Sequence, residues 1–246
     1  MVNRVAVPHN ELARTFTLFN LFRRETTDPD TFYTFLADDT IRRIGTHLPL
    51  HGAVVLDVGG GPGYVAAAMR GAGAQCIVAE YAHTELFLHG RTPDDAIQAD
   101  GQQLPIRTGG VDVCHSSNVL EHVPQPDRMI GEMVRVVRPG GLVYLSFTNW
   151  LSPWGGHETS PWHYFGGDYA ARRWASKRGS QPKNRFGHSL FRVDVANVVR
   201  SIRANGDVDI VRVGSRYLPS WTAPIVNVPG LREVAVWNLE VILRRR

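Results

Sequence analysis

The run DVGGGPG, residues 57–63, is the segment whose residue types and spacing most directly suggest ligand chemistry. It follows the apolar run VVL and precedes the helix-like YVAAAM, so it predicts a strand, a glycine turn and a helix. Glycines let a backbone approach a ligand closely and present its N–H groups. Because such turns bind nucleotides at the carboxyl edge of a parallel sheet, a nucleotide-containing ligand is expected.

Two common nucleotide motifs fit this run poorly. A dinucleotide fingerprint would place its third glycine at position 64, which is Tyr64. A P-loop would need a glycine followed by lysine and then serine or threonine, and the run has no such triplet. The sequence therefore disfavours NAD and FAD and excludes a P-loop.

Further segments follow in an order that resembles the class I S-adenosylmethionine-dependent methyltransferases, of the type 11 kind. They are Glu80 at the end of a strand-like run, Asp100-Gly101 after the next one, VDVCHSSNVLEHV (111–123) and VRVVRPGGLVYLS (134–146). The resemblance covers about residues 50–150. It implies S-adenosylmethionine as cofactor and methyl transfer as the reaction. It also implies a Rossmann-like α/β fold, doubly wound and mostly parallel, with seven strands of which the last is antiparallel.

The resemblance also assigns cofactor-binding roles. Glu80, 23 positions after Asp57, would accept hydrogen bonds from the ribose hydroxyls, and Asp100 would accept one from the adenine amino group. Asp57 would order the glycine loop and reach the methionine ammonium through water. The full set comprises Asp57, Gly59, Gly61, Gly63, Glu80, Asp100, Gly101, Ser117 and Asn118.

The reaction itself predicts a base near the acceptor. Methyl transfer from a sulfonium is a direct displacement, for which a protein aligns the reacting atoms and excludes water. A hydroxyl nucleophile also needs a group that takes its proton. The candidates are His157 and Glu158 in GGHETSPWHY, and His122 after the fourth strand, with His188 as a further possibility.

Glu121 and His122 raise the question of a metal. Some quinone-pathway O-methyltransferases have E-x-x-E-H at this place and resemble metal binders. In this chain Asn118 stands where the first glutamate would be. The sequence therefore predicts no metal site.

Apolar periodicity predicts the elements that position these residues. Strand-like and helix-like runs alternate from residue 53, which is typical of a parallel sheet with helices on both faces. The predicted strands are 53–58, 75–80, 96–99, 111–116, 141–147, 207–213 and 234–243. The predicted helices are 11–24, 31–48, 63–72, 125–137, 166–178 and 195–204, the last with Asp194 as its N-cap. Three prolines predict a loop between the last two strands.

These elements predict a single domain over residues 1–246, divided into four regions. Residues 1–50 form a helical cap, and residues 51–147 form the cofactor-binding core. Residues 148–190, rich in Trp, Gly, His and Pro, are an insertion or lid on the acceptor side. Residues 191–246 supply a C-terminal helix and strands.

Bulk composition limits the class of protein. The 246 residues are 43% hydrophobic and 20% charged, which is ordinary for a globular chain with a substantial core. No apolar run approaches the length of a membrane span. The N-terminal segment has no apolar signal core, so we expect a cytoplasmic protein.

Charge and aromatic content suggest the acceptor. Residues 172–246 carry 15 Lys and Arg against 5 Asp and Glu. Four tryptophans of the lid region lie beside the basic run KRGSQPKNR (177–185), which suggests a polar or anionic acceptor such as a glycan, a glycolipid or a phosphorylated metabolite. Residues 116–119 lack the [DNS]-P-P-[YFW] signature of base methylation, so a nucleic-acid acceptor is disfavoured. The oligomeric state stays open.

The sequence therefore predicts S-adenosylmethionine-dependent transfer to a hydroxyl of a small molecule, glycan or glycolipid. A C-methyltransferase acting on a quinol or lipid is an alternative, since it needs a base less and an apolar pocket more. A cofactor-binding partner protein without catalysis is an alternative of another class.

Overall fold

The computed structural model describes residues 5–246, and within that range the chain forms one seven-stranded sheet with the order β3-β2-β1-β4-β5-β7-β6. β7 runs antiparallel to both β5 and β6, and the other neighbours are parallel. The strands are β1 (Val54–Val58), β2 (Gln75–Glu80), β3 (Ala96–Gln98), β4 (Val111–Ser117), β5 (Val137–Thr148), β6 (Val208–Ser215) and β7 (Asn238–Arg245). The predicted Rossmann-like sheet with an antiparallel last strand is confirmed.

Helices precede the sheet and cover both of its faces. They are α1 (Glu11–Phe22), α2 (Pro29–Gly45), α3 (Tyr64–Gly71), α4 (Pro126–Val136), α5 (Gly167–Arg178), α6 (Val195–Ala204) and α7 (Leu231–Ala235). α1 and α2 begin where the sequence supplies caps, because the side chains of Asn10 and Asp28 accept hydrogen bonds from the first turns. Residues 1–4 of the predicted cap lie outside the described residues.

Alternating side chains of the central strands divide the core between the two faces. Cys114 and Val143 belong to the apolar cluster that α4 and α6 cover, whereas Val113 and Leu142 belong to the cluster under α2 and α3. This alternation follows from the two-residue period of a strand. With helices on both faces, the carboxyl ends of the parallel strands are the edge at which ligands bind in such sheets.

A buried ion pair fixes the N-terminal helices. Arg14 of α1 donates from Nε to Asp39 Oδ1 of α2 at 2.7 Å, and both side chains are almost fully buried. Burial acts to raise the pKa of Asp39, but the hydrogen bond from Arg14 and the charge of Arg43 outweigh it and hold the pKa well below its ordinary value. Asp39 is therefore a buried carboxylate that depends on its arginine partners.

The C-terminal region differs from the prediction in three places. The last strand begins at Asn238, not at 234, because residues 231–235 form α7, and a 3-10 segment, Ser220–Asn227, occupies part of the predicted loop. Asp194 occupies the predicted N-cap position of α6, but its side chain accepts no hydrogen bond from the backbone of the first turn. The carboxylate of Glu233 in α7 accepts from the N–H groups of Val195 and Ala196 at 2.9 Å each, so a residue distant in sequence caps this helix.

Among residues 5–246, none of the helices combines the length and the apolar character that a bilayer span requires.

Candidate functional site

The predicted cofactor residues lie at neighbouring strand ends along one edge of the sheet. Asp57 is the second-to-last residue of β1, Glu80 ends β2, and Asp100 follows β3. Ser117 ends β4 on the other side of β1. The strand order thus brings together side chains that are up to 60 positions apart in the sequence.

The glycine loop takes a conformation that larger residues would disturb. Gly59, Gly61 and Gly63 have φ angles of 70°, 49° and 80°, in the left-handed region that favours glycine. Position 60 has no room for a side chain, because a Cβ on Gly60 would lie 2.4 Å from Asp57 Oδ2. The loop is therefore folded tightly over the carboxylate of Asp57.

Asp57 is buried at 1% exposure and its partner was not predicted. Its Oδ1 lies 2.7 Å from Nδ1 of His115, the residue opposite it on β4, and the His115 ring stacks on Tyr144. Asp57 Oδ2 has no hydrogen-bond partner among the described residues. Such a buried acceptor is costly unless something pairs with it, and it lies directly beneath Gly60.

Glu80 is positioned by backbone donors on both sides. Its Oε2 accepts from Gly61 N–H and its Oε1 from Ala82 N–H, each at 3.1 Å. Burial raises the pKa of Glu80, against the lowering effect of these backbone hydrogen bonds. Each carboxylate oxygen retains acceptor capacity for a ligand hydroxyl.

Asp100 and Gly101 form a compact turn after β3. Asp100 Oδ1 accepts from the backbone N–H of Gln102 at 2.8 Å, which fixes the carboxylate. Gly101 is buried, and a Cβ there would lie 3.1 Å from Val58 Cγ1. The turn is thereby held against the end of β1, beside the glycine loop.

Ser117 and Asn118 are held by residues from the C-terminal third. The Ser117 hydroxyl accepts hydrogen bonds from Arg216 and Ser146, and the Asn118 side-chain oxygen accepts one from Asn238 at 2.7 Å. Asn118 has a φ angle of 56°, an uncommon conformation that asparagine tolerates better than most residues. Both residues thus lie where the end of β4 meets β5 and β7.

Arg216 was not predicted as part of this edge. Its side chain is 1% exposed and also donates to Thr40 Oγ1 of α2 at 2.8 Å. Its carbonyl oxygen accepts from Arg14. This basic residue of the C-terminal third therefore joins the N-terminal helices to the end of β4. No repeat or motif in the sequence marks it.

A second group of polar side chains lies beyond the glycine loop. Val119 abuts the loop, because a Cβ on Gly59 would lie 2.2 Å from Val119 Cγ2. The next turn, Leu120–His122, carries Glu121 and His122. After β5, His157 begins the 3-10 turn His157–Thr159. The centroid of its ring lies 5.0 Å from the ring centroid of His122.

The structure therefore brings together two of the three predicted catalytic residues, His122 and His157. Burial lowers the pKa of His157, and the charge of Glu121 opposes that effect. Glu158 is separately engaged: its two oxygens accept from Asn184 N and Nδ2 at 2.8 and 2.9 Å. His188 is exposed to solvent.

The tryptophans of the lid divide into two kinds. Trp150 packs on His163 and Phe186, and Trp154 packs between Phe22 and Trp237. By contrast, Trp162 lies under the guanidinium of Arg173 at 3.7 Å and is 38% exposed. The first pair forms a small core that holds the lid, and Trp162 belongs to its surface.

Comparisons with known proteins agree with this arrangement. The sequence profile of a methyltransferase domain matches residues 56–145. A protein of Mycobacteroides abscessus named as an uncharacterized methyltransferase is 45% identical over 248 residues, which cover 96% of this chain and 95% of that protein. A protein of the same name from Mycolicibacterium gilvum is 44% identical over 243 residues, with 95% and 94% coverage.

The chain belongs to the S-adenosylmethionine-dependent methyltransferases. Solved structures share the fold of this methyltransferase. The S-adenosylmethionine-dependent methyltransferase of Mesorhizobium loti aligns with a TM-score of 0.58 and 20% identity, over 85% of this chain and 98% of that one. Magnesium protoporphyrin IX methyltransferase of Synechocystis PCC 6803 aligns with a TM-score of 0.54 and 16% identity, over 96% and 98%.

The described residues fit S-adenosylmethionine, the cofactor of this enzyme family. The tight glycine loop would form a cradle, the backbone-oriented carboxylate of Glu80 would accept from the ribose hydroxyls, and Asp57 beneath the loop leaves Oδ2 without a partner among the described residues. Asp100 lies at the next strand end, where the family resemblance places the adenine. The bound cofactor supplies an electrophilic methyl group on sulfur.

Proposed function

We propose that this methyltransferase methylates a hydroxyl group of a small molecule, a glycan or a glycolipid. The observation that carries the proposal is the polar group of Glu121, His122 and His157 directly beyond the glycine loop. Carbon nucleophiles are served by an apolar pocket, whereas a hydroxyl must be oriented and deprotonated. Two imidazoles and a buried carboxylate supply such an environment.

The reaction needs neither an oxidant nor a reductant. The acceptor oxygen forms a bond to the methyl carbon as the carbon–sulfur bond breaks, the sulfonium becomes a neutral thioether, and the hydroxyl proton is released. The protein's part is to align the oxygen, to assist departure of its proton and to keep water away. His122 and His157 would contact the acceptor, and Glu158 would position the lid through Asn184.

The lid supports an acceptor that combines apolar and polar surfaces. Trp162, Tyr164 and Phe165 are exposed by 38%, 49% and 74%, beside the arginines of α5. Aromatic rings stack well on sugar rings, and arginines pair with anionic groups. Not all of the basic run serves this purpose, since Lys183 is paired with Glu85 at 3.0 Å. A sugar-bearing acceptor, neutral or anionic, fits this surface.

The proposal is tested with S-adenosylmethionine that carries a deuterated methyl group. The protein is incubated with separate panels of sugars, glycolipids, phosphorylated metabolites and quinols, and products are analysed by mass spectrometry and NMR. Glu80→Ala protein is the background control. We expect the label on an oxygen of a hydroxylated acceptor.

Two outcomes would contradict the proposal. Label found only on carbon would favour the C-methyltransferase of quinols or lipids. Cofactor binding without turnover on any panel would favour a cofactor-binding partner protein.

A further inference from the structure

Three potential ligand atoms converge at the acceptor side of the sheet edge. Glu121, His122 and His157 each offer one such atom, and these atoms all lie within 4.8 Å of one another. Glu121 and His122 come from the turn after β4 and His157 from the turn after β5. Because β4 and β5 are adjacent and parallel, the two turns emerge side by side.

The hydrogen bonds of these side chains leave the converging atoms free for a ligand. Glu121 is 1% exposed; its Oε1 accepts from Thr148 N–H at 2.9 Å, and its buried Oε2 has no partner among the described residues. The buried Nε2 of His157 has none either. An unpaired buried carboxylate oxygen beside an unpaired imidazole nitrogen is costly.

The third side chain is oriented for the same purpose. His122 Nδ1 lies 2.6 Å from the carbonyl oxygen of Ser189. A carbonyl only accepts, so Nδ1 carries the proton and Nε2 presents its lone pair. A histidine whose second nitrogen donates to a carbonyl is the usual arrangement at protein metal sites, since this bond fixes tautomer and ring orientation.

We propose that Glu121, His122 and His157 bind a divalent first-row transition-metal ion. Two imidazoles and one carboxylate suit Zn²⁺, Co²⁺, Mn²⁺ or Fe²⁺ better than Mg²⁺ or Ca²⁺, which prefer oxygen ligands. Ligand atoms on one such ion lie about 3 to 4 Å apart, so modest side-chain rotations complete the set. The ion would pair with both unsatisfied atoms at once.

The backbone around His157 supports a built site. His157 has a φ angle of 49°, a conformation that is unfavourable for a residue with a Cβ and that is concentrated at functional positions. The two residues before it, Gly155 and Gly156, leave no room for a side chain. A Cβ on Gly155 would lie 1.9 Å from the carbonyl oxygen of Trp150, and a Cβ on Gly156 would lie 2.5 Å from the His163 side chain. Asn184 anchors the next residue, Glu158, through both carboxylate oxygens.

The proposed ion has a role that rests on the proposed O-methyl transfer. Three protein ligands leave coordination positions open, as in catalytic metal sites. An acceptor hydroxyl bound there would be oriented, and its pKa would be lowered, so that its proton passes to solvent at neutral pH. The two histidines then serve as ligands. This account explains why Glu158 is directed at Asn184 rather than at His157.

Metal binding is tested apart from catalysis. The full chain is dialysed against a chelator and titrated with Co²⁺, following visible d–d absorption, and with Zn²⁺ by calorimetry. We expect one equivalent of each to bind. Glu121→Gln and His157→Ala are expected to weaken binding by about tenfold or more. His51→Ala, an exposed histidine before β1, is expected to leave it unchanged.

These measurements distinguish failure of the metal site from failure of the proposed methylation of a hydroxyl. Wild-type protein that binds Co²⁺ no more tightly than His157→Ala would overturn the metal site, and O-methyl transfer that is indifferent to chelation would overturn the role of the ion in the reaction. If Glu121→Gln fails to fold, the loop variant His157→Ala decides alone, with S-adenosylhomocysteine binding as its folding check. One bound equivalent together with methylation only on carbon would uphold the site and reject the hydroxyl acceptor.

Discussion

The predicted cofactor side, residues 57–101 with 117–118, and the proposed acceptor side, residues 119–122 with 148–190, share one sheet edge but are built differently. On the cofactor side, carboxylates stand at or just after the ends of β1, β2 and β3, and neighbouring backbone N–H groups hold those of Glu80 and Asp100. On the acceptor side, side chains meet from distant segments, as His122 meets His157 and the carbonyl of Ser189.

This difference affects how each side responds to changes in its sequence. Recognition by a loop and its backbone depends on a few consecutive residues. Recognition by side chains from separate segments depends on packing and on buried ion pairs elsewhere in the molecule. The acceptor side can therefore change its ligand while the cofactor side stays the same.

The largest expected effect concerns the buried charges that support the end of β4. Asp39→Ala leaves Arg14 and Arg43 without their shared carboxylate in a buried position. We expect the free energy of unfolding to fall by about 3 to 5 kcal/mol, because an uncompensated buried charge remains. Chemical denaturation at neutral pH measures it.

The control for this prediction is an exposed ion pair. Asp209→Ala removes the partner of Arg246 at the surface, where screening makes such pairs weak, and its unfolding midpoint should stay close to the wild type's. A loss of similar size in both variants would show that burial of Asp39 is not what matters.

A smaller effect is expected from one methyl group in the glycine loop. Gly60→Ala places a Cβ 2.4 Å from Asp57 Oδ2, so the loop must shift away from the cradle. We expect overpacking to cost about 1 to 3 kcal/mol and the affinity for S-adenosylhomocysteine to fall by roughly tenfold or more. Calorimetric titration measures the affinity.

Gly131→Ala is the matched control, since a Cβ on this α4 glycine meets nothing within 4 Å. We expect slightly higher stability and unchanged affinity, because alanine restricts the unfolded chain. Equal losses of affinity in both variants would refute the close packing of loop and carboxylate.

The smallest expected effect is a pH dependence on the cofactor side. In its predicted role, Glu80 would accept the ligand hydroxyls in its ionised form, and burial raises its pKa in the free protein. Affinity for S-adenosylhomocysteine should therefore be constant above that raised pKa and decline as the pH falls through it, by at most about tenfold per pH unit. A Glu80→Gln variant should bind weakly with a flat profile over the same range, and a decline as steep as that of the wild type would assign the titration to another group.

The cofactor side could be predicted from the sequence because its signals are local. A glycine run after an apolar strand, and acids at the ends of the next two strands, keep their meaning without knowledge of the packing. The mostly parallel sheet of seven strands with an antiparallel last strand followed from the same family resemblance, whereas the strand order came from the structure. The cofactor-binding roles of Asp57, Glu80, Asp100 and the other residues remain predictions.

Contacts between segments distant in the sequence could not be predicted to the same extent, for physical reasons. His115 pairs with Asp57 only because β4 lies beside β1 in this register. Arg216 is one arginine among many, and its burial follows from the meeting of α2 with β6. The absence of a metal was inferred from the first residue of E-x-x-E-H, whereas the structure brings a histidine from another loop to Glu121 and His122.

The most direct test compares one variant from each side in the same titration. S-adenosylhomocysteine is titrated into the wild type, Glu80→Ala and His157→Ala. We predict saturable binding to the wild type, a loss of about 100-fold in Glu80→Ala because charge-assisted hydrogen bonds to two hydroxyls disappear, and near wild-type affinity in His157→Ala. Wild-type affinity in Glu80→Ala, or an equal loss in His157→Ala, would contradict the division of the site into a cofactor side and an acceptor side.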